Sequence, residues 1–308
     1  MTVKAKTPMV KPHKSMALKD AASDKVFFVI NAIFLGLMAL IVLYPIYFIV
    51  IASFSDPDAV LGGQVVLWPV QLNFEGYQKV MERSDIWTGY GNTILYTLGT
   101  VILALLVTIP GGWALSRKTT PGKKFWMLFF IIPMFFGGGL IPFYNVMSSL
   151  HLINSPWAII LPSIISVWNL FMCKTFFESS IPEGMLEAAK IDGSGTFRTF
   201  FSIVLPLSKA VIAVMALYYA VGQWNSYFSA MIFLQDENKY PLQLVLKEIL
   251  LASESTVGGS GETILQQYRL ANQLKYVSVI VSSIPVLCLY PFVQKYFAQG
   301  VMIGSLKG

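Results

Sequence analysis

Six long apolar runs alternate with polar intervals along the chain, at about 26–54, 90–115, 125–147, 157–177, 210–234 and 272–297. A helix rises 1.5 Å per residue, so runs of this length suit a hydrocarbon layer roughly 30 Å thick. The pattern predicts six transmembrane helices. The first run is far longer than the apolar core of a signal peptide and is expected to stay as a span. The second opens with Asn92, Thr93, Tyr96 and Thr97, expected to hydrogen-bond between helices, and closes near Gly111 and Gly112, which permit close packing. Pro133, Gly137, Gly138, Gly139 and Pro142 interrupt the third. Such a break is a gate or hinge where it lines a cavity, and otherwise a kink or the end of a span.

The polar intervals divide the rest. Residues 1–25 form a basic arm with six lysines, and 55–88 a loop in which Asn73 to Tyr77 starts a short helix. Arg117 to Lys124 is a short basic turn, 235–271 a second polar loop, and 299–308 a tail. The interval at 179–208 has helix signals of its own. Ser180 and Glu183 have capping-box spacing, with Pro182 between them. Met185, Leu186, Ala188 and Ala189 give the next turns an apolar face. Gly193 and Gly195 can take positive φ and reverse the chain. Phe197, Phe200, Phe201 and Val204 follow at i, i+3, i+4 and i+7, one face of a second helix. The expectation is a helix pair joined by a glycine turn, a knob shaped for a partner's cleft.

Composition agrees with a membrane protein. Of 308 residues 55% are hydrophobic and 12% charged, about half the charge of a soluble domain. The net charge of +6 does not imply nucleic acid, because the basic residues cluster beside apolar runs. With six spans and the N-terminus inside, sixteen basic residues fall on the cytoplasmic side and six outside. That asymmetry puts both termini and the 179–208 interval in the cytoplasm. Cys173 and Cys288 lie in apolar runs and suggest packing. His13 and His151 are too isolated to suggest a metal site. No phosphate-binding loop of the G-x-x-x-x-G-K-[ST] form occurs, so the chain carries no visible means of hydrolysing ATP.

Glu187-Ala188-Ala189, three residues, Gly193, nine residues, then Ile203-Val204-Leu205-Pro206 resembles the EAA loop of binding-protein-dependent ABC importers. The fixed positions and both spacings match. The resemblance implies an all-α polytopic permease of the type I importer fold, with a six-helix domain at 26–298 that includes the 179–208 loop. It implies a transport subunit, not an enzyme, in a bacterial plasma membrane. Its partners would be a second permease, two ATP-binding subunits holding ATP and magnesium, and an extracellular solute-binding protein. Glu187, Ala188, Ala189, Asp192, Gly193, Leu205 and Pro206 would couple to the ATP-binding subunits. Gly300, Gly304 and Lys307 resemble the tail of the second permease of maltose-type importers, which reaches between those subunits.

The solute implied is an oligosaccharide or other sugar. Trp168, Asn169, Trp224, Asn225 and Tyr227 offer aromatic faces and amides that suit sugar rings and hydroxyls, although such residues within bundles also serve simply as packing. The alternatives are a secondary transporter, a permease for a non-sugar solute, and a membrane scaffold. No intramembrane carboxylate stands out, which argues against ion coupling.

Overall fold

The computed structural model describes residues 22–255 and 261–305, and the regular structure within them is helical. In chain order the helices are α1 (Ala22–Ser53), α2 (Pro57–Leu61), α3 (Glu75–Glu82), α4 (Ser84–Ser116), α5 (Lys123–Phe135), α6 (Leu140–Ser149), α7 (Trp157–Ser163) and α8 (Val167–Ser180). Then come α9 (Glu183–Ile191), α10 (Thr196–Leu207), α11 (Lys209–Trp224), α12 (Phe228–Phe233), α13 (Leu242–Ser255) and α14 (Gly261–Ser305). The basic arm lies outside the described residues up to position 21.

Three helices are individually long and apolar enough to cross a membrane: α1, α4 and α14 over Tyr268–Leu289. Three bent pairs pass the same test together: α5 with α6 at 115°, α7 with α8 at 41°, and α10 with α11 at 78°. The third run therefore breaks at residues 136–139. Pro133 stays within α5, and Gly139 turns the chain at φ 84°.

Two compact units divide at Phe48. The first is the apolar helix α1 up to that residue, with Phe27, Ile30, Phe34, Leu40 and Ile41 exposed. Lipid is the environment such an all-round apolar helix requires. The second unit is built around α4, which packs against α7, α8, α11 and α13. At Gly112 α4 and α8 pack closely: a β-carbon there would lie 2.9 Å from Cβ and Sγ of Cys173.

Three of the four polar residues early in α4 find partners, all in the 238–242 segment. The Asn92 amide donates to the Asn238 and Tyr240 carbonyls, and the Tyr96 hydroxyl to the Lys239 carbonyl. Thr93 Oγ1 accepts from the Leu242 N–H, one of the orphan donors at the start of α13. Thr97 is buried, and its hydroxyl has no hydrogen-bond partner in the structure.

Two expectations are corrected. The polar loop at 235–271 is not a loop throughout. Leu242, Val245, Leu246 and Ile249 recur at helical spacing and bury the inner face of α13 against Val80, Ile86, Leu274 and Val277. Residues 256–260, with most of its glycine stretch, lie outside the described residues. The fifth run is two helices, α11 and α12, separated at Asn225 to Tyr227.

Candidate functional site

The 179–208 interval forms a two-helix bracket at the C-terminal end of α4, and its geometry differs in detail from the spacing rules. Ser180 does not cap α9. It is the last residue of α8, its hydroxyl is buried without a partner, and Pro182 holds the N-cap position at ψ 136°. Proline cannot continue α8 without losing a backbone bond, so the chain turns there and restarts. Glu183 therefore does not reach back to a cap; its carboxylate pairs with Lys118 at 3.1 Å.

The far end of α9 follows expectation at one glycine. Gly193 adopts φ 77°, its N–H donates to the Lys190 carbonyl, and the Ser194 N–H donates to the Ala189 carbonyl. This pair of bonds is a Schellman cap. Gly195 has φ −68° and needs no glycine on that account. The Thr199 hydroxyl donates to Ser194 Oγ at 3.0 Å, tying the turn to the second helix.

The bracket's apolar residues divide between two directions. Ala189 is buried, with Met185 and Leu186 half-buried against a core of Trp113, Cys173, Phe177, Ile181, Phe200, Val204, Val211 and Met215. Ala188 faces outward, so the paired alanines do not share a face. The phenylalanine stripe also divides. Phe200 and Val204 enter the core across a widened π-helical turn, while Phe197 is 81% exposed and Phe201 60%. Ile191 is 86% exposed. Glu187, Asp192 and Gly193 are exposed, as Ala188 is, and Pro206 is exposed beside half-buried Leu205.

A brace that the sequence reading did not identify holds the bracket. Lys123, the first residue of α5, and Lys174 of α8 both contact Glu178, at 3.1 and 2.7 Å. Arg117 lies 4.1 Å over the Trp113 ring, and burial there holds its guanidinium below its ordinary value. Trp113 in turn meets Phe177 edge-on at 5.6 Å and Phe200 at 6.3 Å. The basic turn at 117–124 thus reaches α9 directly through Lys118 and the end of α8 through Lys123. The signal was available: four basic residues in that turn, and acids flanking Pro182 at positions 178 and 183.

The sugar-path candidates are scattered by the structure. Trp168 is 64% exposed near the start of α8, but Asn169 is buried, its N–H donating to the capping Ser166 Oγ. Trp224 is a core residue, 5% exposed, whose indole N–H donates to the Ser282 carbonyl at 3.0 Å. That indole has no free face for a solute. Asn225 and Tyr227 remain exposed at the break after α11. Gly300 and Gly304 lie on α14, and Lys307 is outside the described residues. Among the described residues no three histidine, cysteine or acidic side chains converge as metal ligands.

Comparison with known proteins covers most of the chain. Residues 86–303 match the model of the family described as "binding-protein-dependent transport system inner membrane component". Protein LplC of Bacillus subtilis (strain 168) is 34% identical over 291 residues, covering 94% of this chain and 98% of its own. The polygalacturonan/rhamnogalacturonan transport system permease protein YtcP of the same organism is 36% identical over 276 residues, covering 89% and 96%. Among solved structures, a chain of a bacterial ABC transporter involved in the import of the acidic polysaccharide alginate superposes with a TM-score of 0.79. It is 33% identical, and the match covers 91% of this chain and all of that one.

Proposed function

This chain belongs to the binding-protein-dependent transport system inner membrane components, and from that premise we propose that it is one of two permeases in an importer that takes up oligosaccharides of acidic polysaccharides. The family works with a solute-binding protein and an ATPase. The finer reading assigns two ATP-binding subunits, which hold the nucleotide and magnesium, and a second permease that completes the path. The sixteen-to-six excess of basic residues supports cytoplasmic termini and a cytoplasmic bracket. The acidic class of solute is carried over from YtcP and the alginate importer.

The observation that carries the mechanism is the outward face of the bracket. Ile191 and Phe197 expose their side chains almost fully beside Ala188, Glu187 and Asp192. Large exposed apolar groups on a rigid element mark a protein interface. The Schellman cap and the Lys118–Glu183 pair tie that element together, and Lys123 and Lys174 brace the adjoining end of α8 through Glu178. A partner that moves the bracket therefore moves α8, α11 and, through Lys123, the broken span of α5 and α6. In this reading Ala188 allows close approach and Glu187 makes a charge-assisted contact, while the bend between α10 and α11 carries the displacement into the membrane.

The test is uptake and ATP hydrolysis by the complete importer carrying Glu187→Ala or Gly193→Pro. The reading expects solute uptake to fall while the subunit stays in the membrane, with hydrolysis no longer responding to loaded binding protein. Wild-type uptake by both variants at equal abundance overturns it.

A further inference from the structure

We propose that Lys247 and Tyr227 form a carboxylate-reading subsite for the acidic sugar, at the end of the bundle opposite the bracket. The proposal rests on the acidic-oligosaccharide reading above and assigns it to residues of this chain.

The starting point is an unneutralised cation. At that end of the bundle, Arg83 pairs with Asp85 at 2.5 Å, Lys239 with Asp236 at 3.5 Å, and Arg269 with Asp58 at 2.7 Å. Lys79 and Lys275 are exposed on the surface. Lys247 is different. It is half-buried on α13, and no carboxylate of the described residues lies within ion-pair distance. Its ammonium instead sits 4.7 Å over the Tyr227 ring and 3.1 Å from the thioether sulfur of Met231. Both are weak partners for a cation that has given up part of its water.

Tyr227 supplies the second half. It is 40% exposed, it lies at the break between α11 and α12, and its hydroxyl makes no hydrogen bond within the described residues. A phenol donor and an ammonium beside one aromatic face are what a uronic acid residue requires. Its carboxylate takes the charge-assisted bonds, and its ring C–H groups take apolar contact. A neutral hexose would use only the latter. Asn225, exposed two residues before Tyr227, lies within the same stretch of chain.

The placement matches the order of events in import. Lys247 and Tyr227 lie by the start of α4, where Thr93 meets α13, while the bracket lies by its end. In the topology proposed above this is the outer face, where solute first enters. The site would then select acid over neutral sugar at entry, before the bracket acts.

The experiment uses the complete importer in vesicles, offered a short oligouronate or its neutral counterpart of the same linkage. Lys247→Gln is expected to raise the half-saturating oligouronate concentration on the order of tenfold. Neutral-sugar uptake should not change, and oligouronate uptake should lose most of its salt dependence. Lys247→Arg should retain most of the preference, and Tyr227→Phe should lower it without abolishing stacking. Unchanged oligouronate uptake by Lys247→Gln at equal abundance overturns the subsite. So does an equal loss for both sugars, which marks packing, or a loss that tracks the anionic lipid content, which marks a headgroup contact. If wild-type importer takes up neither sugar, the sugar reading itself fails and the subsite goes with it. If it takes up oligouronate and Lys247→Gln is silent, only the subsite fails.

Discussion

The Tyr219 hydroxyl of α11 lies 2.7 Å from the Thr108 hydroxyl of α4, and it also accepts the Ser166 N–H at 3.3 Å. Ser166 caps α8 at the break in the fourth span, where backbone donors lose their helical partners. One phenol thus joins three helices where a backbone group would otherwise be orphaned among apolar side chains. Tyr219→Phe should destabilise the subunit by about 1 kcal/mol, the usual net worth of such bonds within membrane bundles. Thermal unfolding of the purified protein checks this. In the double variant with Thr108→Val the two losses should be less than additive.

Gly193 holds φ 77° with open space around its α-carbon, so the requirement there is conformational and not steric. Gly193→Ala should strain the bracket by about 1–2 kcal/mol, and Gly193→Asn by less, since asparagine tolerates this region. Uptake by the complete importer should fall in the order glycine, asparagine, alanine. Equal uptake by all three would mean that the turn does not need its left-handed residue.

Much of this was legible in the sequence, for definable reasons. Long apolar runs announce membrane helices because the bilayer demands them. The bracket was visible because Glu187 and Gly193 stand at a fixed spacing between two such runs. What could not be seen was direction. Phe197 and Phe200 satisfy the same periodicity, yet one faces out and the other in, because the π-helical turn and the core beneath decide it. Trp224 and Tyr227 looked equivalent as aromatic candidates, but a cluster drawn from elements distant in sequence, with Tyr90 of α4 and Ser282 of α14 in contact, buries the first. Helix α13 was missed although its spacing was readable: polar neighbours such as Lys247 and Glu248 masked a four-residue apolar stripe. Ser180 misled because capping-box spacing says nothing about a preceding helix that runs through it.

Gly112 allows α4 and α8 to touch at Cys173. Gly112→Ala should place a methyl group 2.9 Å from both Cβ and Sγ of that residue, with the Lys174 backbone nitrogen 3.1 Å away. Overpacking of this kind costs about 1–3 kcal/mol. The unfolding temperature and membrane abundance should both drop. Adding Cys173→Ala, which removes the sulfur contact, should recover part of the loss.

The segment after α12 carries a pH-sensitive tie. Asp236 accepts from the Asn238 backbone N–H at 3.1 Å, and this bond, aided by Asn238's side chain and by Lys239, holds its carboxyl below the ordinary value of 3.8. Because the folded state favours the ionised form, the stabilisation is present above the ordinary aspartate value. It is lost as pH falls through the depressed one. Hydrogen exchange of amides 235–240, corrected for intrinsic rates, should stay flat from neutral pH down to about 5 and quicken only below the ordinary carboxylate range. Asp236→Ala should remove that acid step. Opening already complete at pH 6 would contradict the assignment.

The most direct measurement is site-specific photo-crosslinking from position 191 in the assembled, transport-competent complex. Ile191 is the most exposed apolar side chain of the bracket. A photoreactive residue there should join this chain to the ATP-binding subunit, while one at Trp168 should not. An intact, transporting complex in which position 191 captures only lipid, or a partner from the extracellular side, would contradict the account.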